Sequence, residues 1–476
     1  MFLLVKELTG TLAMNKESEF IINLEEVYKE VTHDYWERVD GLCLERLSGL
    51  FTHAVTAWLM MWQKIIHENS LSGALQRIQK SIEAEETEGI LEWVKNSKKV
   101  KFKQVSSSTS GLSQARSRLP LKMVTDLADR IYESIFKERK SKNLWCDKRV
   151  YLIDGTDVAF INTPKLIENF PPQKNPSGEC FPIARVLVAH DLMNGLAVRP
   201  EIGTQYDSEQ SLSIKMMPRL EQGSIVMGDM NFGVFSIAYH TRQNKLESVL
   251  RLQKKRAGKI VGHGNLEAEG EYAAVWTPSR NDLRTNPDIP KDAKVEGKVI
   301  VVVGNRNGFR PAKFYFFVSS GMTDISPQEL LEFYYNRWLV EADIRSIKYA
   351  MHLETISIKD ADMARKEIIL GVCGYNLIRA VIARGVEFIN LSPRDISFTR
   401  AVLLIKATAE LLVIAKDRKE QLAIQERFLV KLKQIRHPKR KKHRTEPRLV
   451  VRKKKSFPPL RGSRKLLRDN LIKQLN

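Results

Sequence analysis

A chain of 476 residues, 43% hydrophobic and 28% charged, reads as soluble and globular and is too long for one ordinary core, so two or three domains are expected. Its four cysteines, at 43, 146, 180 and 373, include no CxxC pair, which indicates neither a zinc knuckle nor a disulfide framework and fits a reducing, intracellular setting. The net charge of +21 is concentrated at one end: residues 431–476 hold 18 Lys and Arg against 2 Asp and Glu, a pattern that suits a polyanionic partner such as nucleic acid, or else a solvated, solubilising tail.

The opening "MFLLVKELTG" lacks a basic n-region and a long apolar core, so no signal peptide is expected. Residues 18 to about 98 show apolar positions at helical spacing. The most apolar run, "LFTHAVTAWLMMW", is too short to span a bilayer and reads as a core helix. "VSSSTSG" is a linker or loop. It leads into "LSQARSRLPLKMVTDLADRIYESIF", a short basic helix, a stop at Pro120 and a longer helix. Arg116, Arg118 and Lys122 could lie on DNA phosphates; a solvated helix face explains them almost equally well.

The middle changes character. "RVYLIDGTDVAFI" is a β-branched, apolar run, read as a buried strand that ends in an acid, Asp154. Two strands flank Asn194-Gly195, a strong hairpin signal. "SEQSLSIKMMPRLEQG" is helical, "SIVMGDMNFGVF" is a buried strand ending in Asp229, "FSIAYHTRQNKL" is a helix and "ESVLRLQ" a strand. Strand, hairpin, helix, strand, helix, strand is the order of a ribonuclease-H-like core, a mixed α/β sheet with helices on its faces. Residues 254–320 interrupt it with "EYAAVWT", "KVIVVVG" and "KFYFFVSS", a β-rich insertion. Ser326, Pro327 and Glu329 then form a capping box with Pro at the first helical position, opening one long helix through residue 348. Residues 362–385 and 400–435 read as further helices, and the proline-broken basic tail after 436 as disordered when free. No internal repeat is visible. The expected division is 1–120, a helical DNA-binding region; 121–253 with 321–390, the catalytic core; 254–320, the insertion; and 391–476, a helical, basic C-terminal region.

Inside the long helix lies "YYNRWLVEADIRSIK". At 100° per residue Tyr334, Arg337, Glu341 and Lys348 share one face, while Asp343 falls on the opposite side. The alternative is an ordinary i,i+4 charge pattern in water, but the apolar neighbours argue that Glu341 has a partner. Asp154 and Asp229 are the candidates. Each alone could be a turn residue, in "DGT" or "GDMN"; together the three offer hard oxygen donors that suit Mg²⁺ or Mn²⁺. On this reading Asp343 is dispensable.

The spacing Tyr334-x2-Arg337-x3-Glu341-x6-Lys348 resembles the Y-R-E-K signature of bacterial DDE transposases of the insertion-sequence-four family. "DGT" at Asp154 and "GDMNFG" at Asp229 resemble that family's first two acidic blocks, and "TSGLSQARSRLP" and "GYNLIR" its flanking segments. The resemblance covers roughly residues 45–385 and implies a ribonuclease-H-like fold with a β-strand insertion. It implies that Asp154, Asp229 and Glu341 bind two Mg²⁺ ions, and that Tyr334, Arg337 and Lys348 contact phosphates of the transposon end. In some relatives an insertion-domain tryptophan stacks on a flipped base, and Trp276 is the candidate here, though it could equally be a core aromatic. The implied activity is cutting at inverted repeats and joining 3′-hydroxyls to target duplex DNA, by a homodimer in the bacterial cytoplasm at the nucleoid, with no membrane role. A catalytically silent DNA-binding regulator, and a nuclease without strand transfer, are the alternatives.

Overall fold

The computed structural model describes residues 23–43, 50–66, 70–83, 108–138, 144–172, 174–175, 178–179, 181–262, 266–304, 311–322, 325–356, 358–437, 468–470 and 472–473. The opening decapeptide and most of the basic tail lie outside these residues, so the expectations for them do too.

Among the described residues, five helices precede the sheet: α1 (Leu24–Cys43), α2 (His53–Ile66), α3 (Leu71–Glu83), α4 (Ser110–Arg118) and α5 (Leu121–Glu138). The core helix expected around "HAVTAWLMMW" is α2, buried from Ala54 to Ile65. A helix that is apolar all round needs partners on all sides. It packs against α10 (Ala361–Phe388), which is itself long and apolar enough to cross a membrane but has 94% of that stretch buried inside the fold. α4 and α5 meet at Pro120, which cannot continue the first helix's hydrogen bonding. α5 then lays Val124, Leu127, Ile131 and Ile135 along one face, against α1 and α10.

The described strands of the main sheet are β1 (Val150–Phe160), β2 (Ile183–Asp191), β3 (Glu201–Thr204), β4 (Ile225–Gly228), β5 (Glu247–Leu252), β6 (Gly270–Trp276), β7 (Val295–Gly304), β8 (Ala312–Ser319) and β9 (Thr355–Ile356). Their order is β3-β2-β1-β4-β5, then β8-β7-β6, with β9 beside β1. β2 runs antiparallel to both neighbours, while β1, β4 and β5 are parallel. This is the ribonuclease-H-like order expected from the sequence. The turn after β2 uses Gly195 at φ +78, a conformation that favours glycine, with Asn194 donating to Asp191. α6 (Glu209–Met216) and α7 (Phe235–Gln243) are the two connecting helices. The strands of the insertion continue the same sheet from β5 outward.

Ser326 caps α8 (Pro327–Tyr334) with the expected capping box. The single long helix is not observed. Residues Tyr335–Trp338 tighten to a 3₁₀ turn, α9 spans Leu339–Arg345, and Ser346–Ala350 widen to a π turn. Burial explains the tightening. In a uniform α-helix Val340 would lie about 240° around from Tyr334, whereas four residues at about 120° each bring the two within about 40°. Both are buried in the cluster formed with Leu152, Ile225, Met227 and Ile344. After α10, α11 (Phe398–Ile414) and α12 (Arg418–Gln434) pack on one another, and the chain at Ile435 to His437 returns to bond residues 395–397.

Candidate catalytic site

The two aspartates meet because of register. β1 and β4 pair Leu152 with Met227, so Asp154 and Asp229, each two residues further on, come side by side. Asp229 follows the end of β4, but Asp154 is not at the strand end expected from the sequence: β1 runs on to Phe160 because β2 pairs with it that far. Period-two alternation puts both aspartates on the face carrying Leu152 and Met227, the face that α8 and α9 cover. Burial, with Asp229 and Glu209 nearby, pushes the Asp154 carboxyl up to about 6, against the Gly155 amide and Arg337, which pull it down. Glu209 heads α6, bonds Asn231 and lies against Gly155, where any Cβ would strike its carboxylate. Its own pKa is raised, by burial first and then by Asp229 and Asp157. The sequence reading missed Glu209. An acid in a helix's first turn is commonplace, and only the fold brings it to Asp154.

Arg337 joins the other half of the site. Its guanidinium donates to Glu341 at 2.8 Å. Burial pulls the Arg337 pKa down, but Glu341, Tyr334 and Asp229 more than offset this and leave it raised. Glu341 is half exposed, with 53% of its side chain open to solvent. Tyr334 is buried, which pushes its hydroxyl up to about 12, and it lies near Arg337, Arg251 and Asp229. Lys348 donates to the Asp157 carbonyl at 3.0 Å, on the strand that carries Asp154. Tyr334, Arg337, Glu341 and Lys348 thus lie along the border of the aspartate pair, although three acids do not meet: among the described residues no group of three His, Cys, Asp or Glu side chains is arranged to hold a metal ion. The donors nonetheless fit a hard divalent cation. All are carboxylates, and Asp154 resists ionisation because it is buried, with the like charges of Asp229 and Glu209 nearby.

Other residues depart from expectation. The buried acid of the quoted stretch is Asp343, 1% exposed, not Glu341. It accepts from Arg379 and Arg394, each at 2.7 Å. Burial pushes its pKa up, but Arg394, Arg379 and His190 more than offset this and hold it below the usual carboxylate range. A helical projection shows neighbours on one helix only, and these partners come from other elements. Trp276 is 6% exposed and packs edge-on against Phe235 and Phe317, in the hydrophobic core. Arg116 turns inward to Glu367, which also pairs with Lys64, while Arg118 stays exposed. Arg116 and Arg118 therefore do not form one surface. Lys122 is exposed and pairs with Asp126 at 2.9 Å.

Residues 145–377 match the family model described as the transposase DDE domain. The matched span contains both aspartates, the insertion and the Tyr334–Lys348 segment, and it supports a DDE transposase. No curated protein matches the chain. A solved structure of the piggyBac transposase synaptic complex with hairpin DNA is similar at 10% identity and a TM-score of 0.41, covering 96% of this chain and 86% of that one, a likeness too loose to argue from.

Proposed function

We propose that the chain is a transposase of the insertion-sequence-four type, which binds the terminal inverted repeats of its element, cleaves at their ends and joins the 3′-hydroxyls to target DNA. The observation that carries this reading is the in-register pair Asp154 and Asp229 on the face covered by the segment bearing Arg337 and Glu341. Asp154, Asp229 and Glu341 are the residues that would hold Mg²⁺ or Mn²⁺. Two such ions, when bound, supply an activated water or 3′-hydroxyl and stabilise the leaving oxygen. In that arrangement Arg337 moves from Glu341 toward a DNA phosphate, a fixed cation beside the developing charge. Lys348 gives a second phosphate contact, and buried Tyr334 supports Arg337 from beneath.

Residues 1–120 would serve end recognition, with Arg118 the exposed basic group of α4. Residues 121–253 with 321–390 would form the catalytic core, 254–320 an insertion that lengthens its sheet, and 391–476 a basic C-terminal region. Two ends must be held together, which favours a homodimer, working in the cytoplasm at the nucleoid.

The test uses a labelled duplex made from the DNA that flanks the reading frame. Asp154→Asn, Asp229→Asn and Glu341→Gln are each expected to abolish Mg²⁺-dependent cleavage while a metal-free gel shift stays near wild type, since removing a carboxylate from a site for a polyanion costs no attraction. Cleavage surviving in Asp229→Asn would reject this site.

A further inference from the structure

Asp343 lies two residues beyond Glu341 on α9, which is only seven residues long. Glu341 points to the half-exposed edge beside Arg337, and Asp343 points inward. There Asp343 takes Arg379 from α10 and Arg394 from the short turn that follows α10, and the Tyr375 hydroxyl lies 3.1 Å away. Both arginines are held elsewhere too. Arg394 donates to the carbonyls of Asp191 and Leu192, at 3.0 and 2.7 Å, and Arg379 donates to the Tyr375 hydroxyl. Gly195 makes room for the pair: a Cβ there would lie within 3.0 Å of both guanidinium groups. The turn after β2, α10 and α9 therefore converge on one carboxylate.

α9 needs such an anchor. It is bounded by a 3₁₀ turn before and a π turn after, so its rotation about its own axis is not set by a long regular hydrogen-bond ladder. Rotation about that axis swings Glu341 and Asp343 together in opposite senses. We propose that Asp343 is a positioning residue, clamped by Arg379 and Arg394 so that α9 holds Glu341, and through it the Arg337 that donates to Glu341 from the preceding turn, beside Asp154 and Asp229. The clamp rests on the catalytic reading of Glu341 given above.

Asp343→Ala leaves buried Arg379 and largely buried Arg394 without a carboxylate, which destabilises the fold by itself, so Arg394→Gln is the variant of choice: it removes one arm and leaves Arg379 in place. Arg384→Gln is the matched control. Arg384 is as exposed as Arg394, 15% by side chain, and also pairs with two partners, Glu30 of α1 and Glu138 of α5, neither of them on the elements that carry the candidate acids. Three readouts are taken on the full chain: melting temperature, Mn²⁺ binding by electron paramagnetic resonance without DNA, and the kcat and KM for cleavage of the end duplex.

Both arginine variants are expected to melt below wild type. Only Arg394→Gln should weaken Mn²⁺ binding, as Glu341→Gln does, and lower kcat about tenfold or more, the scale expected for a misplaced catalytic group. Its KM should stay within about twofold, since DNA contacts are untouched. If Arg394→Gln loses melting temperature alone, with Mn²⁺ binding and kcat like Arg384→Gln, the clamp is merely structural and the positioning role is overturned, while the catalytic reading stands. If Glu341→Gln itself leaves Mn²⁺ binding and cleavage unchanged, the catalytic reading falls and the positioning role falls with it.

Discussion

Burial and the neighbouring Asp229 and Glu209 raise the Asp154 carboxyl to about 6, above the ~3.9 of a free aspartate. The sign of the consequence follows from linkage. The folded protein binds this proton more tightly than the unfolded chain does, so the ionised group is penalised in the fold. That penalty is complete above the folded value and vanishes below the unfolded one. Asp154→Asn should therefore raise the melting temperature of the metal-free protein at pH 8, by roughly 1–4 °C, and bring no gain near pH 4. Mg²⁺ should raise the melting temperature of the wild type and not of the variant. A thermal scan at both pH values checks this, and a loss of stability at pH 8 would contradict the penalty that burial and the nearby Asp229 and Glu209 place on ionised Asp154.

At the scale of elements, two substitutions separate packing from DNA contact. Trp276 closes the end of β6 against Phe235 of α7 and Phe317 of β8. Trp276→Ala should cost about 3–5 kcal/mol through the cavity left behind, and it should depress nicking and every later step together. A block confined to steps after the first nick would instead restore a base-stacking role. Arg116 ties α4 to α10 through Glu367. Its loss should cost about 1–3 kcal/mol, because Lys64 still pairs with Glu367, and should weaken binding to end and random DNA alike. Arg118→Ala should weaken binding without changing stability. Urea melts beside gel shifts on both DNAs distinguish the two.

For the whole molecule, the excess positive charge lies at one end of the chain, in residues 431–476. The described C-terminal segment ends by bonding back to residues 395–397 through Ile435, Arg436 and His437. A deletion that tests the basic tail therefore begins at residue 438, which spares these bonds. Because each phosphate contact contributes a slope of about −0.9 in log K against log salt, removing residues 438–476 should flatten that slope while leaving any preference for the element's ends. An unchanged slope in titrations at several salt concentrations would take the tail out of DNA binding.

Alternation and spacing by themselves determined the chain order of strands and helices, the turn at Gly195 and the capping box at Ser326, because each follows from local chemistry: period-two burial, a left-handed turn position and an N-cap. They also singled out Asp154 and Asp229 as candidate acids, but Asp154 lies inside β1 and not at a strand end. The family resemblance added the Tyr334-to-Lys348 spacing, and Arg337 and Glu341 do touch. Only the tertiary structure decided that Asp343 is the buried acid, that Glu209 reaches Asp154, that Arg116 faces inward and that Trp276 is core. Those outcomes depend on partners 32 to 251 residues away in the chain, such as Tyr375 for Asp343 and Glu367 for Arg116. The break in the helix after Tyr334 belongs with them. No residue there forbids an α-helix, and the 3₁₀ turn arises because the sheet buries Tyr334 and Val340 on the same side.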